Sequence, residues 1–274
     1  MSLTKSISLP VPICLLGQSI VHLNQPVLCY VPHDNSLSIT INQGGGFLRV
    51  KGVNPISYYL ERKLSWIAQT MKLDIDVQVI RPSTLIDTMI TIIHAVVREK
   101  GLKSLHHAML KRVKLREERV RLTISALKFR GVLAYREGEN PLELQREFPW
   151  LIGFCFRAPL KFKLLEDTRL EEAINVVVHA LGRLVILAAR SIIDRDFGTF
   201  KSVMTRYSRL SLALSNHTLS ILRAFNMIAK VDSIACKVDE DIRGLLLFSE
   251  DREGLTEGLN MAQAMGFKVM LLRC

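Results

Sequence analysis

Apolar and polar positions in the first part of the chain alternate over short runs that end at turn-forming residues. The apolar runs lie at 7–17, 26–31, 37–41 and 47–53. Runs of this length, separated by Asn, Asp and Gly, are typical of successive strands. After Asn54 and Pro55, a helix N-cap and a proline at the first helical position, apolar residues recur at helical spacing to about residue 72. A period-two strand at 73–80 and an apolar helix ending near residue 97 are expected to follow.

The later part of the chain changes from strands to a block of helices. Two strands are predicted between residues 129 and 157, and a helical series then begins near residue 168. The chain ends with the pattern strand, strand, helix, strand. We therefore predict an α+β fold in two parts, residues 1–160 and residues 161–274.

The composition indicates a globular protein. The chain has 274 residues, of which 49% are hydrophobic and 23% are charged, and it contains no long polar segment. The longest apolar stretch, 173–193, is interrupted by His179, Arg183 and Arg190, so it predicts a buried helix and no membrane span. Five scattered cysteines without a C-x-x-C pair are typical of the reducing cytoplasm and signal neither disulfides nor a metal site. A cytoplasmic protein without a membrane partner is expected.

The positive charge is concentrated in one region. The formal net charge is +11, and residues 98–130 contain eleven Lys or Arg and three Glu. Apolar residues recur at helical spacing there, which predicts an amphipathic helix with a solvated basic face. The basic patch on this face consists of Lys111, Arg112, Lys114, Arg116, Arg119 and Arg121. Clustered cations also neutralise nucleic-acid phosphates, but aromatic residues that stack on bases are nearly absent, so nucleic-acid binding is an alternative and not the main interpretation.

Three segments carry a resemblance to a known family. They are residues 8–31, 188–222 and 234–269. In order, they resemble the opening, a central helical segment and the terminal hairpin, helix and strand of the GHMP superfamily of small-molecule kinases, which includes galactokinase and mevalonate kinase. Pro10, Gly17 and Pro26 match the family's opening pattern. The resemblance implies a ribosomal-protein-like N-terminal α+β half, a ferredoxin-like C-terminal α+β half, and ATP-dependent phosphate transfer to a small hydroxylated molecule.

The segment that corresponds to the family's phosphate-binding loop lacks its glycines. In the family, backbone N–H groups of a glycine-rich loop and a helix N-terminus surround the nucleotide phosphates. Residues 81–91 read RPSTLIDTMIT here, so Pro82 is kept but no glycine follows it. Asp87 and Thr88 would crowd or repel a triphosphate, and Ser83 and Thr84 are expected to cap the helix.

The other family motifs also depart from their usual form. The terminal glycine loop reads VDEDIRG at 238–244, in which Gly244 is the recognisable glycine and Asp239 begins a cluster of carboxylates. This cluster predicts a solvated turn rather than a metal site. The stretch before the strand at 130–135 contains no carboxylate, and Thr123 or Ser125 stands near the place of the family's catalytic aspartate. Gln18 replaces the glutamate that follows Gly17's counterpart in the family.

These departures lead to one main interpretation and two alternatives. The main interpretation is a GHMP-kinase-like protein without phosphotransfer activity, which binds an unidentified small molecule or protein in the ancestral cleft, with no catalytic residues, metal or cofactor. One alternative is a divergent kinase of a sugar or mevalonate-type metabolite that uses ATP and Mg²⁺. The other is nucleic-acid binding through the basic patch. The candidate cleft residues are Gly17, Gln18, Ser19, Pro82, Ser83, Thr84, Asp87, Thr88, Thr123 and Gly244.

Overall fold

The computed structural model describes residues 4–18, 20–52, 56–81, 84–101, 112, 116–156, 171–213, 218–239 and 244–272. The strands of this part of the chain are β1 (Lys5–Leu9), β2 (Ile13–Leu16), β3 (Val27–Val31), β4 (Leu37–Gln43), β5 (Leu48–Gly52), β6 (Leu73–Val79), β7 (Gly131–Tyr135), β8 (Leu142–Gln145), β9 (Leu151–Phe156), β10 (Ala235–Asp239), β11 (Gly244–Ser249) and β12 (Lys268–Leu272). The helices are α1 (Ile56–Met71), α2 (Leu85–Glu99), α3 (Glu117–Ala126), α4 (Glu171–Asp194), α5 (Phe197–Ala213), α6 (Leu219–Ile228) and α7 (Arg252–Ala264).

These elements divide between two units. The first unit comprises Met1–Ile13 and Tyr30–Arg130, and the second comprises Cys14–Cys29 and Gly131–Cys274. The division differs from the predicted boundary at residue 160. One reason is that β9, which the prediction assigns to the first part, pairs with β11 and β12 of the terminal sheet.

The first unit is built on a sheet in the order β1-β4-β6-β5. β5 pairs with β6 in parallel, and the other pairs are antiparallel. Every second residue of β6 is buried, from Leu73 to Val79, as expected for a sheet with one face against a core. Helix α1 contacts β5 and β6, and helix α2 contacts both α1 and α3.

The second unit contains two sheets with helices packed on them. The terminal sheet has the order β10-β11-β9-β12 and is antiparallel throughout. The other sheet has the order β2-β3-β7-β8, and most of its residues belong to this unit. Apolar residues of α6, α7, β10 and β11, including Phe225, Leu247 and Leu255, form one buried core. Phe200 is fully buried in an adjoining aromatic cluster, where its ring lies 4.3 Å from that of Trp150 and 5.3 Å from that of Phe248.

The α+β prediction is confirmed, and two local predictions need correction. The single strand predicted at 7–17 is two strands, β1 and β2, because prolines at 10 and 12 interrupt the backbone donors between them. The basic region at 98–130 is not one described helix, since α2 ends at Glu99 and α3 begins at Glu117. Most of the residues between these two helices lie outside the described part of the chain.

One helix among the described residues is long and apolar enough to cross a membrane, judged by its length and composition. It is the stretch Asn175–Asp194 of α4, and 44% of its most apolar window is buried inside the protein. A core helix of a soluble protein passes the same test, so this is weak support for a span. The cytoplasmic location stays a prediction.

Candidate functional site

The candidate residues fall into two groups, one in each unit. Thr84, Asp87, Thr88 and Thr123 belong to the first unit, and Gly17, Gln18 and Gly244 belong to the second. Ser19, Pro82 and Ser83 lie outside the described residues, as do Lys111 and Lys114 of the basic patch.

The first group is centred on Asp87 in the first turn of α2. Thr84 is the N-cap of this helix, as predicted, and its hydroxyl accepts a hydrogen bond from the Asp87 backbone N–H. The same hydroxyl donates to Oδ2 of Asp87 over 2.5 Å. Both residues are fully buried. A carboxylate in the first turn is stabilised by the positive end of the helix dipole, so Asp87 belongs to the helix start rather than to an open loop.

Helix α3 supplies two further partners to Asp87. Nη2 of Arg119 lies 2.6 Å from Oδ2 of Asp87, and the Thr123 hydroxyl donates to Oδ1 over 2.6 Å. Arg119 and Thr123 are four residues apart, so they share one helix face. The Asp87 and Arg119 side chains are only 1% and 7% exposed. Both carboxylate oxygens are therefore engaged inside the protein, in an ion pair that joins α2 to α3.

Arg119 does not contribute to the solvated basic surface that the sequence predicts. It is buried because it neutralises Asp87, whereas Arg116, the N-cap of the same helix, and Arg121 within it are exposed. Arg112 is also exposed, and its guanidinium lies 4.5 Å above the ring of Trp66 in a cation–π contact. The described part of the basic patch is therefore divided between structural and solvent-facing residues.

The second group is centred on Lys237, which is not among the site residues predicted from the sequence. Its Nζ donates to Oε1 of Gln18 over 2.7 Å, to Oδ2 of Asp239 over 3.0 Å and to the carbonyl of Cys14 over 3.2 Å. Nε2 of Gln18 in turn donates to Oδ2 of Asp239 over 3.2 Å. The three ammonium hydrogens of Lys237 are thus all used, and its side chain is 1% exposed.

Asp239 corrects the prediction of a solvated carboxylate turn. It ends β10 and is completely buried, because it pairs with Lys237 two residues earlier on the same face of the strand. The sequence signal for the pair was Lys and Asp alternating within the apolar run IACKVD. Glu240 and Asp241 lie outside the described residues.

Gly17 and Gly244 are needed where the backbone comes close to neighbouring strands. Gly17 has φ +89°, and an added Cβ would lie 2.5 Å from the carbonyl oxygen of Pro26. Its N–H donates to the Tyr207 hydroxyl over 3.0 Å. At Gly244 an added Cβ would lie 1.8 Å from the carbonyl oxygen of Cys155 on the adjacent strand. Chain packing therefore accounts for both glycines without a phosphate group.

The described residues contain no cluster of the side chains that commonly bind metal ions. No three His, Cys, Asp or Glu side chains in this part of the chain lie close enough together to hold one. Asp87 and Asp239 are each committed to a cation and to amide or hydroxyl donors. As arranged, the two clusters can stabilise the fold, but neither presents an open carboxylate to a substrate.

Comparison with known proteins gives similarity at the level of structure. No family model and no curated protein matches the chain. The structure is similar to L. major mevalonate kinase in complex with R-mevalonate, with a TM-score of 0.65 and 11% identity over 98% of this chain and 95% of that one. It is also similar to the Lin0012 protein of Listeria innocua, with a TM-score of 0.63 and 10% identity over 99% of this chain and 100% of that one.

A galactokinase extends the same comparison. Lactococcus lactis galactokinase complexed with galactose has a TM-score of 0.62 and 8% identity over 98% of this chain and 92% of that one. At such identities the likeness concerns the fold, and it covers nearly the whole of each protein. The resemblance seen in the sequence is confirmed at this level: the chain has a GHMP-kinase-like fold.

Proposed function

We propose that this GHMP-like protein does not transfer phosphate from ATP and that it binds a small molecule or a protein partner instead. The observation that supports the proposal most directly is that Asp87, at the start of α2, is buried and has both carboxylate oxygens hydrogen-bonded inside the protein. The sequence resemblance aligns this helix start with the segment that holds the nucleotide phosphates in GHMP kinases.

An open helix N-terminus attracts anions because its backbone N–H groups and its dipole are unneutralised. Here the carboxylate of Asp87 already lies in the first turn, and Arg119 is paired with it. A phosphate group brought near Asp87 would meet a like charge. At a separation of 4 Å a carboxylate alone would repel the phosphate by about 1 kcal/mol in water and by about 4 kcal/mol at an effective dielectric constant of 20, and the paired Arg119 reduces this repulsion.

The proposal is also supported by the lack of a carboxylate that could act as general base at the place where the family has its catalytic aspartate. Thr123 stands near the place of the family's catalytic aspartate, and its hydroxyl donates to Asp87. Threonine has no carboxylate to accept the proton of an acceptor hydroxyl. Asp87 is buried and has both oxygens engaged, so it does not substitute for that base. General-base catalysis typically contributes a factor of about 100 to 10,000 to the rate.

The two alternative functions have less support. A kinase that uses ATP and Mg²⁺ would need a phosphate cradle other than the glycine loop, and the Asp87 cluster does not provide one. For nucleic-acid binding through the basic patch, Arg119 cannot contact phosphates, because its guanidinium group is buried against Asp87. We keep both as outcomes of the experiment below. A cytoplasmic location is part of the proposal.

The test is calorimetric titration of the full chain with ATP and with Mg-ATP, followed by an assay for ADP release. Mevalonate and galactose are suitable acceptors because two of the structural neighbours are complexes with these molecules. We expect no saturable heat at millimolar nucleotide and no ADP above the background rate. Micromolar Mg-ATP binding with acceptor-dependent ADP release would overturn the proposal. Salt-sensitive binding of a short DNA or RNA duplex would instead support the nucleic-acid alternative.

A further inference from the structure

A cleft of about 410 Å³ lies within the second unit, beside helix α4. The β7-β8 hairpin and the segment containing Gln25 and Pro26 complete its walls. Its volume is in the range of small-molecule sites, about 300 to 1,000 Å³. None of its lining residues belongs to the Asp87 or Lys237 cluster. It is therefore a separate feature that the two polar clusters do not explain.

A glycine within helix α4 lines the cleft. Glycine in the interior of a helix is unfavourable, so a buried one calls for a packing reason. At Gly182 an added Cβ would lie 2.2 Å from Oε1 of Gln25. The absent side chain allows Gln25 to approach the helix, and both residues line the cleft.

Two arginines reach the cleft, and they differ in how they are held. Nε of Arg136 donates to the carbonyl of Asn24 over 3.0 Å, which orients the guanidinium group. Nη1 of Arg136 lies 3.8 Å from the carboxylate of Glu139, beyond hydrogen-bond distance. Arg183 has no hydrogen bond or ion pair to any residue in the described part of the chain. The cleft therefore has an oriented cation and a second cation available to a ligand.

Neutral polar groups and apolar side chains complete the lining. His179 and Asn140 face the same cleft, and their side chains make no hydrogen bond to the described residues. Leu142 and Ile186 also line it, and at 62% and 61% exposure their apolar side chains are accessible to a ligand. A ligand in this cleft would thus meet cations, neutral polar groups and apolar surface.

We propose that this cleft binds a small molecule that has an oxyanion headgroup and a short apolar body. The guanidinium groups of Arg136 and Arg183 suit a phosphate monoester or a carboxylate, both of which accept paired N–H donors. Ile186 and Leu142 cover the apolar body. Two arginines and Glu139 leave one net positive charge, which suits a compact headgroup rather than a polyphosphate. This site does not depend on the proposed loss of phosphotransfer.

The binding test uses four defined probes on the full chain. Hexyl phosphate and hexanoate carry the two candidate headgroups, inorganic phosphate lacks the apolar body, and hexanol lacks the charge. Calorimetry at constant ionic strength should show saturable binding of hexyl phosphate, hexanoate or both, and the tighter of the two identifies the headgroup. Inorganic phosphate should bind about tenfold more weakly, because it buries no hydrocarbon. Hexanol should show no saturable heat.

Variants on the exposed face of α4 locate the binding. Arg183→Ala should weaken the better probe about tenfold or more, as expected for the loss of a charge-assisted hydrogen bond. Ile186→Ala should weaken hexyl phosphate or hexanoate without changing inorganic phosphate. Arg190→Ala is the matched control, since Arg190 is on the same helix but pairs with Asp194 at 3.5 Å and does not line the cleft.

Three results would overturn the proposal. The first is the absence of saturable binding by both charged probes at millimolar concentration. The second is an equal loss of affinity in Arg183→Ala and Arg190→Ala, which would indicate general electrostatic attraction. The third is hexanol binding as tightly as its charged counterparts. Circular dichroism of each variant verifies that the fold is retained, and because these side chains are at the surface the variants are expected to fold.

Discussion

Nη2 of Arg119 lies 2.6 Å from Oδ2 of Asp87, and both side chains are almost completely buried. The pair connects the first turn of α2 to α3 across 32 residues of sequence. A buried ion pair contributes little net stability compared with apolar residues, but removal of one partner leaves a charge without compensation. The relationship therefore makes α2 and α3 depend on each other.

Replacement of Arg119 should be strongly destabilising. Arg119→Ala leaves Asp87 buried without its cation, and we expect the free energy of unfolding to fall by about 3–5 kcal/mol. Arg116→Ala is the control, because Arg116 is exposed just before the same helix and should change stability by less than about 0.5 kcal/mol. Urea denaturation followed by circular dichroism measures both. Equal effects in the two variants would contradict the structural role of the pair.

The Lys237 and Asp239 side chains should be energetically coupled. Lys237→Met leaves a buried carboxylate, and Asp239→Leu leaves a buried ammonium group, so each single change should cost about 3–5 kcal/mol. The double variant removes both charges and should be more stable than the sum of the single effects predicts, by about 1–3 kcal/mol. A double-mutant cycle from urea denaturation gives this coupling energy. A value near zero would show that the contact is not important for stability.

Gly17 is expected to tolerate no larger residue. Gly17→Ala introduces a Cβ 2.5 Å from the Pro26 carbonyl oxygen at φ +89°, so backbone strain and a steric clash act together. Gly138→Ala is the matched control, with φ +81° and nothing within 4 Å of the added Cβ. The control should lose about 1 kcal/mol from strain alone, and Gly17→Ala should lose clearly more. Thermal unfolding of the two variants makes the comparison, and a smaller loss at Gly17 would contradict the close approach.

The buried cysteines should make the free energy of unfolding fall at alkaline pH. Burial raises the pKa of the Cys155 thiol to about 12 from its ordinary value of 9.0, and burial together with the neighbouring Cys155 also raises the pKa of Cys236. The folded state therefore holds these protons more tightly than the unfolded state. The contribution of the Cys155 thiol to the free energy of unfolding is fully present below pH 9 and is lost as the pH rises from 9 towards 12.

Urea denaturation between neutral pH and pH 10 measures that dependence. Each thiol that loses its proton only on unfolding contributes a slope of at most about 1.4 kcal/mol per pH unit. Cys155→Ala should reduce the slope of the free energy of unfolding against pH. Lys268→Ala is the control, because Lys268 is exposed on the strand paired with β9, and this variant should keep the cysteine contribution. An unchanged slope in Cys155→Ala would refute the assignment.

Local sequence signals were sufficient for most of the fold. The N-cap at Thr84, the alternation along β6 and the helical spacing of α2 depend on residues close in sequence, and the structure has each of them. The order of these elements also led to the GHMP resemblance, which the structural neighbours confirm at the level of fold. Apolar periodicity specifies which face is buried, but not which elements share a unit. The segment Cys14–Cys29 and strand β9, which the prediction placed in the first part, therefore belong to the second unit.

The polar clusters were decided by tertiary structure. The sequence selected Asp87, Thr123 and Gln18 as candidate residues and placed Arg119 on a solvated face. Packing of α2 against α3 brings Arg119 to Asp87, and the position of the segment after β2 brings Gln18 to Lys237, 219 residues away. A charged residue is favourable in a core only when it has a partner. Lys237 and Asp239 are local partners, but no local pattern reveals Arg119 as the partner of Asp87 or Gln18 as a partner of Lys237. The sequence by itself thus determined the elements and their order, whereas long-range packing determined which charges are buried together and which remain available to a ligand.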